Sequence, residues 1–404
     1  MKIQRSIPPV ASPVTFKELL GGAAAIFNRN AVARLEDCLR DYFSVKHVFL
    51  LNSGKSGLSL ILSSLKSISK KRKVIIPSYT CFSVPSAVLK AGLQVDICDI
   101  DRETLDYDYF LLENKLDEDT LCVIQNHLFA IPSDVERLKK VCRERDIFVV
   151  EDAAQAMVVR NEDRLLGTLG DVGFYSLGRG KNITSGSGGI VITDSDLIGK
   201  GIEPIFKSVE KEPFLEKYLN FISVKMIYFF MRPYLYWLPS GLPFLGLGET
   251  KFYVDFPIYR FDSTRAGFLN NWREKLETQN RERVIKGRYL HNRMSRLKNV
   301  VTFGNVGTSD VPYLRYPLLV ETREVKETLC SKAKEMGLGI SPMYPKSINR
   351  VKELQNLIEE CVCPAGEDVV DRLVTLPTHS LLGINDLDAH CNLVEHICGD
   401  AGGG

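Results

Sequence analysis

The chain has 404 residues, 45% of them hydrophobic and 25% charged, which are ordinary globular proportions. A formal net charge of +2 is too small to argue for nucleic acid or an acidic partner. The length exceeds the ~250–300 residues at which single cores stop growing, so more than one folding unit is expected.

Met1-Lys2-Ile3-Gln4-Arg5 leads into Ser-Ile-Pro-Pro rather than an apolar core segment, so no signal peptide is expected and the reading is cytoplasmic. Ala31–Val45 is an amphipathic helix by period, His47–Leu51 a short apolar strand, and Gly57–Lys66 helical again. Val74–Pro77, Val84–Ala91 and Val95–Ile100 give strand, helix, strand. Leu121–Gln125, Val135–Arg145 and Ile147–Glu151 repeat the sequence, and Gly173–Ser176 and Gly189–Thr193 add two strands. Short apolar strands alternating with helices predict an α/β fold with a mainly parallel, doubly wound sheet.

Residues 205–258 are unusually apolar and aromatic. Thr264–Leu297 reads as one long charged helix with Leu269, Trp272, Leu276 and Gln279 on one face. Strands at Leu314–Val320 and Gly339–Ile340, with helices at Glu324–Met336 and Ile384–Ile397, predict a smaller α+β domain. The expected division is 1–204 for an N-terminal arm and large domain, 205–258 for an insertion, and 259–404 for a linking helix and small domain. The ten cysteines include no C-x-x-C pair and read as reduced thiols. Ala401-Gly402-Gly403-Gly404 reads as a flexible end.

Four local patterns carry chemistry. In Asn52-Ser53-Gly54-Lys55-Ser56-Gly57 a strand turns through small residues into a helix, whose free N–H groups suit an anion. A nucleotide P-loop is excluded, because Phe49 stands where its first glycine would be. In Phe148-Val149-Val150-Glu151-Asp152-Ala153-Ala154-Gln155 a strand ends in two carboxylates followed by small residues. Gly173-Phe174-Tyr175-Ser176 delivers a hydroxyl, and Lys181 follows five residues later in a glycine-flanked loop. Gly186-Ser187-Gly188-Gly189 lacks the third glycine of a dinucleotide fingerprint. A phosphate site, a carboxylate, a serine and a lysine in one α/β domain are the set that pyridoxal 5'-phosphate (PLP) requires. No metal ligand set stands out.

The phrases Ile76-Pro77-Ser78-Tyr79-Thr80, Glu151-Asp152-Ala153-Ala154-Gln155, Gly170-Asp171-Val172-Gly173-Phe174-Tyr175-Ser176 and Gly180-Lys181-Asn182-Ile183-Thr184 resemble the DegT/DnrJ/EryC1/StrS family of fold-type-I, PLP-dependent sugar aminotransferases. Cys363-Pro364-Ala365-Gly366-Glu367 and Leu376-Pro377-Thr378-His379 echo its C-terminal domain. The resemblance implies that Lys181 holds the cofactor as a Schiff base and moves the substrate proton. It implies that Asp152 pairs with the pyridine nitrogen and that Gln155 contacts the ring oxygen or face. Ser176, with Gly54, Lys55 and Ser56, would hold the phosphate, and Cys81 occupies the place of the family's ring-stacking aromatic. Tyr344, Arg260 and His379 are expected on the substrate side, although Ile258-Tyr259-Arg260 lacks the family's asparagine. The implied reaction moves an amino group, with glutamate as expected donor, to a nucleotide- or lipid-linked keto-sugar. The expected assembly is a homodimer. A sugar dehydratase and a non-catalytic relative remain the alternatives.

Residues 218–247 interrupt the resemblance. Lys225, Arg232, Pro233 and Pro239 break the apolar run, which lacks the ~20 clean residues of a spanning helix. Two readings stay open: a buried lid or dimer contact, and a segment lying against a membrane surface.

Overall fold

The computed structural model describes residues 5–242, 250–304 and 310–399. The tail Ala401–Gly404 and residues 243–247 of the apolar run lie outside the described residues.

Two helices, α1 (Phe16–Ala25) and α2 (Ala31–Phe43), precede the main sheet. Its strands are β1 (His47–Leu51), β2 (Lys73–Pro77), β3 (Gln94–Cys98), β4 (Thr120–Asn126), β5 (Phe148–Asp152), β8 (Val172–Ser176) and β9 (Gly189–Thr193). A two-residue hairpin, β6 (Arg160–Asn161) and β7 (Arg164–Leu165), stands apart. The main sheet runs β1-β9-β8-β5-β4-β2-β3, and only β9 is antiparallel to its neighbours. The predicted mainly parallel sheet is therefore present.

Strand residues alternate between two cores, as a period of two requires. Leu50, Ile75, Val123 and Val149 face one side, where α2, α5 (Tyr109–Lys115) and α6 (Val135–Arg143) pack. Leu51, Ile76, Ile124 and Val150 face the other, against α3 (Gly54–Ile68), α4 (Ser83–Lys90) and α7 (Asp196–Ser208). Helix α7 runs across the boundary expected at 204/205.

The apolar insertion forms α8 (Phe214–Phe230) and a short turn of helix, α9 (Trp237–Ser240). The single helix expected over Thr264–Leu297 is two: α10 (Ser263–Phe268) and α11 (Trp272–Met294), parted at Asn270-Asn271. The break lets α10 cross α1 at touching distance. A Cβ on Gly267 would lie 2.4 Å from the Gly21 carbonyl oxygen, and one on Gly21 2.7 Å from that of Gly267.

The smaller unit is an antiparallel sheet of β10 (Val300–Thr302), β11 (Arg315–Val320) and β12 (Leu373–Pro377). Helices α12 (Arg323–Glu335), α13 (Pro364–Arg372) and α14 (Ile384–Gly399) complete it. Gly339–Ile340 is no strand. Gly337 and Gly339 both adopt positive φ and turn the chain, leaving a single bridge from Ser341 to Thr375.

Candidate active site

Four strand ends meet at the carboxyl edge of the main sheet, where ligands of parallel sheets bind. Thr80 follows β2, Asn126 ends β4, Asp152 ends β5 and Ser176 ends β8. Register places Asn126 directly beside Asp152. Among the walls of the cavity they enclose are Gly54, Lys55, Cys81, Asn126, His127, Asp152, Gln155, Ser176, Lys181 and Tyr344.

The helix side of the cavity is the amino end of α3. Ser53 caps it, its Oγ accepting from Ser56 N at 3.1 Å. Gly54 permits close approach of β8, since a Cβ there would lie 2.9 Å from Ser176 Cβ. The Ser176 hydroxyl thus sits against first-turn N–H groups that point away from the helix. Lys55 does not reach into open solvent. Its Nζ lies 3.4 Å from the centre of the Tyr253 ring and 4.1 Å from that of Phe256. Burial lowers its pKa.

The two carboxylates of Glu151-Asp152 separate by role. Glu151 is fully buried and accepts from His127 Nε2 (2.8 Å) and from the N–H groups of Gly167, Leu169 and Gly170. It fixes the loop before β8. Asp152 lines the cavity, and its Oδ1 accepts from Ala154 N at 3.0 Å. Desolvation raises the Asp152 pKa, while the Lys181 charge, the Ala154 N–H and His127 oppose that rise. Gln155 is held at both ends of its amide: Oε1 accepts from Phe129 N (3.1 Å) and Nε2 donates to Tyr344 Oη (3.1 Å). Burial pushes the Tyr344 phenol well above its ordinary pKa, so it stays a neutral hydroxyl. Cys81 Sγ lies 2.8 Å from Ser83 Oγ.

Three expected site residues lie elsewhere. The Ser56 hydroxyl is taken by Ser53 Oγ (2.8 Å) and the Pro257 carbonyl (3.4 Å), inside the cap rather than on the cavity wall. Arg260 donates to the carbonyls of Val209 and Lys207 at the end of α7. His379 is buried in the smaller unit, with Nε2 2.9 Å from the Pro8 carbonyl.

Asn126 and His127 were not singled out by sequence. The signal existed, because both follow directly from a strand that ends at the same edge as Asp152. Asn126 donates through Nδ2 to Thr80 Oγ1, but its buried Oδ1 has no partner among the described residues. A buried carbonyl without a donor is costly unless a ligand supplies one. Together with unspent N–H groups, a serine, a buried carboxylate and a lysine, this donor set fits PLP.

The sheet order, the edge cavity and its lysine–carboxylate–serine set define a protein of the fold-type-I transferase class. The chain belongs to the DegT/DnrJ/EryC1/StrS aminotransferase family, whose pattern matches residues 15–217 and 257–395. It is 29% identical over 167 residues to a GDP-perosamine synthase of Vibrio cholerae, covering 41% of this chain and 45% of the relative. It is 27% identical over 199 residues to a GDP-4-keto-6-deoxy-D-mannose 3-dehydratase of Yersinia pseudotuberculosis, covering 46% and 51%. The chain thus spans about half the length of these curated relatives. The fold superimposes with a TM-score of 0.79 on a Helicobacter pylori aminotransferase involved in the biosynthesis of pseudoaminic acid, at 16% identity over 98% of this chain and 99% of the other. All ten cysteines are free thiols. No described helix is long and apolar enough to cross a membrane.

Proposed function

We propose that the protein is a PLP-dependent aminotransferase that passes an amino group, from glutamate, to the keto group of a nucleotide- or lipid-linked sugar. The observation that carries this reading is the convergence of Lys181, Asp152 and Ser176 on one cavity, which Gly54 and Lys55 of the α3 amino end also line. When bound, the cofactor stores the nitrogen between two half-reactions and withdraws electrons from the substrate carbon.

The chain's own residues then have distinct tasks. Lys181 anchors the cofactor and, through Nζ, takes and returns the proton at the reacting carbon of the substrate. Asp152 holds a positive charge on the ring nitrogen. Its raised pKa makes it a strong acceptor there, and the ring's charge replaces the solvation it lacks. Gly54, Lys55 and Ser176 bind the phosphate through N–H groups and a hydroxyl. Gln155 and Tyr344 link the smaller unit to the cavity floor and fix the ring's position. Cys81 lines the cavity where the family has an aromatic, and its smaller side chain would leave more room for the cofactor. Arg260 and His379 act on substrate only indirectly in this reading, through α7 and the N-terminal arm. A homodimer, and a place in polysaccharide biosynthesis, are the assembly and setting this reading carries from the family.

Lys181 also favours amino transfer over sugar dehydration, whose family members carry histidine there. The test is spectroscopic and chemical. Protein given PLP should show a long-wavelength cofactor band that glutamate bleaches and a keto-sugar nucleotide restores. Lys181→Ala should lose that response, with amino transfer falling on the order of 10³-fold or more. Identical spectra for the two proteins would refute the proposal, and deoxygenated sugar as product would favour the dehydratase.

A further inference from the structure

Helix α8 carries more exposed apolar side chain than the fold or the site uses. One face of it is packed: Asn220, Val224 and Ile227 are buried, and Val224 and Ile227 meet Val14 and Phe268. The other face is open. Phe214 is 82% exposed, Leu215 63%, Leu219 51% and Phe229 45%. Past the helix Tyr234 is 74% exposed, and on neighbouring α1 Phe16 is 60% exposed, with its ring 6.5 Å from that of Tyr228. A helix apolar on both faces is normally buried on both. Leu219, Phe229 and Tyr234 fall between residues 217 and 257, a stretch the family pattern does not match.

Its charges are mainly positive: α8 holds Lys217 and Lys225 against a single carboxylate, the exposed Glu216 of its first turn. From Lys217 to Leu242 the sequence holds no aspartate or glutamate, and Lys225 and Arg232 are exposed. A groove of about 360 Å³, walled by Val14, Phe16, Tyr228, Met231, Arg232 and Leu381, opens on the same side.

We propose that the outer face of α8, with Tyr234 and Phe16, seats the protein on the surface of an anionic phospholipid bilayer. The 17 residues of α8 span roughly 25 Å at 1.5 Å per residue, short of a ~30 Å hydrocarbon core, and its inner face is already spent on protein. The helix therefore lies in the plane of the interface. Leucine and phenylalanine enter the acyl boundary, tyrosine sits at headgroup depth, and Lys225 and Arg232 reach the lipid phosphates. A second copy of the chain is the poorer occupant. A two-fold contact lays a patch on itself, which would bring these cations toward their own copies with Glu216 the single carboxylate of α8 to meet them.

Vesicle co-sedimentation of the cofactor-loaded protein tests this, independently of any transferase activity. Wild-type protein should sediment with phosphatidylcholine vesicles containing phosphatidylglycerol, and less so in high salt. Lys225→Gln with Arg232→Gln should lower that partition on the order of 30-fold, at about fivefold per cation removed. Leu219→Ser with Phe229→Ser and Tyr234→Ser should remain in the supernatant, with an unchanged cofactor spectrum reporting an intact fold. If that triple variant misfolds, Phe229→Ser alone serves in its place. Wild-type protein that stays in the supernatant with both vesicle types overturns the proposal. So does equal sedimentation with neutral and anionic vesicles. Concentration-dependent association that the triple substitution abolishes, without vesicle binding, would assign the face to a contact between copies.

Discussion

Asn126 and Ala130 stand four residues apart around the tightest turn of the cavity. Phe129 and Ala130 both adopt positive φ, 57° and 70°, which costs a non-glycine residue about 1–2 kcal/mol. The turn persists because Phe129 N donates to Gln155 Oε1 and Phe129 O accepts from Leu314 N. Ala130→Gly should therefore raise stability by up to about 1 kcal/mol, read as a higher denaturant midpoint with an unchanged slope. Asn126 has the opposite economy. Asn126→Leu removes the unpartnered carbonyl together with the amide that donates to Thr80 Oγ1, two opposing changes, so the cofactor-free protein should change in stability by no more than about 1 kcal/mol, while cofactor affinity falls roughly 3- to 10-fold, the worth of one hydrogen bond. Titration by absorbance and a thermal melt separate the two effects. Lys181, Asp152 and Ser176 were legible in the sequence because each sits in a short phrase fixed to a strand end. Asn126 was not, because an asparagine closing an apolar strand looks like the start of a loop. The placement of Arg260 and His379 away from the cavity was invisible for another reason: their partners, the carbonyls of Lys207, Val209 and Pro8, are backbone groups that no residue pattern marks.

At the scale of elements, the sequence pattern recovered all seven strands of the main sheet, since each is short and largely apolar, with edge strand β3 exposing Gln94 on one face. It failed at α10 and α11. Leu269 and Trp272 keep the apolar face continuous across the break, so the pattern reads as one helix while Asn270-Asn271 interrupt the backbone. The root of the insertion is held by a buried cluster in which Arg265 meets Glu212, Asp262 and Ser187 Oγ. Arg265→Met would leave two buried carboxylates unpaired, with an expected loss of about 3–5 kcal/mol in denaturant unfolding. The far end of the insertion is held by Lys55 between Tyr253 and Phe256. Lys55→Met should speed amide exchange over residues 250–258 about fivefold, for a cation–π contact of about 1 kcal/mol. The same two rings explain why Lys55 stands where smaller residues would suffice for a phosphate turn. The insertion closes on the turn through it.

For the molecule as a whole, acid is the expected point of weakness. Burial against the N-terminal arm lowers the His379 pKa to about 3, against 6.5 in an unfolded chain. The folded state therefore binds fewer protons than the unfolded one between those values. Stability is full above pH 6.5, falls by up to about 1.4 kcal/mol per unit below it, and levels off near pH 3. His390, buried and lowered in the same way, adds to the slope. His379→Asn should flatten the fall in melting temperature between pH 7 and pH 5, and an unchanged profile would place the acid sensitivity elsewhere.

The N-terminal arm reaches three parts of the molecule. Ser6 N donates to the Pro233 carbonyl after α8, Arg5 pairs with Asp386 on α14, and Ser12 Oγ donates to the carbonyl of Asn182, next to Lys181. Its partner His379 lies 371 residues downstream of Pro8. At roughly 5–20 residues per second, a ribosome needs about 20–70 seconds to deliver that histidine after the arm has emerged. During that interval the main sheet can assemble while the arm has Asn182 and Pro233 as partners but not yet His379 or Asp386. The arm's contact with the lysine loop can therefore form long before its contacts with His379 and Asp386, which fasten it last.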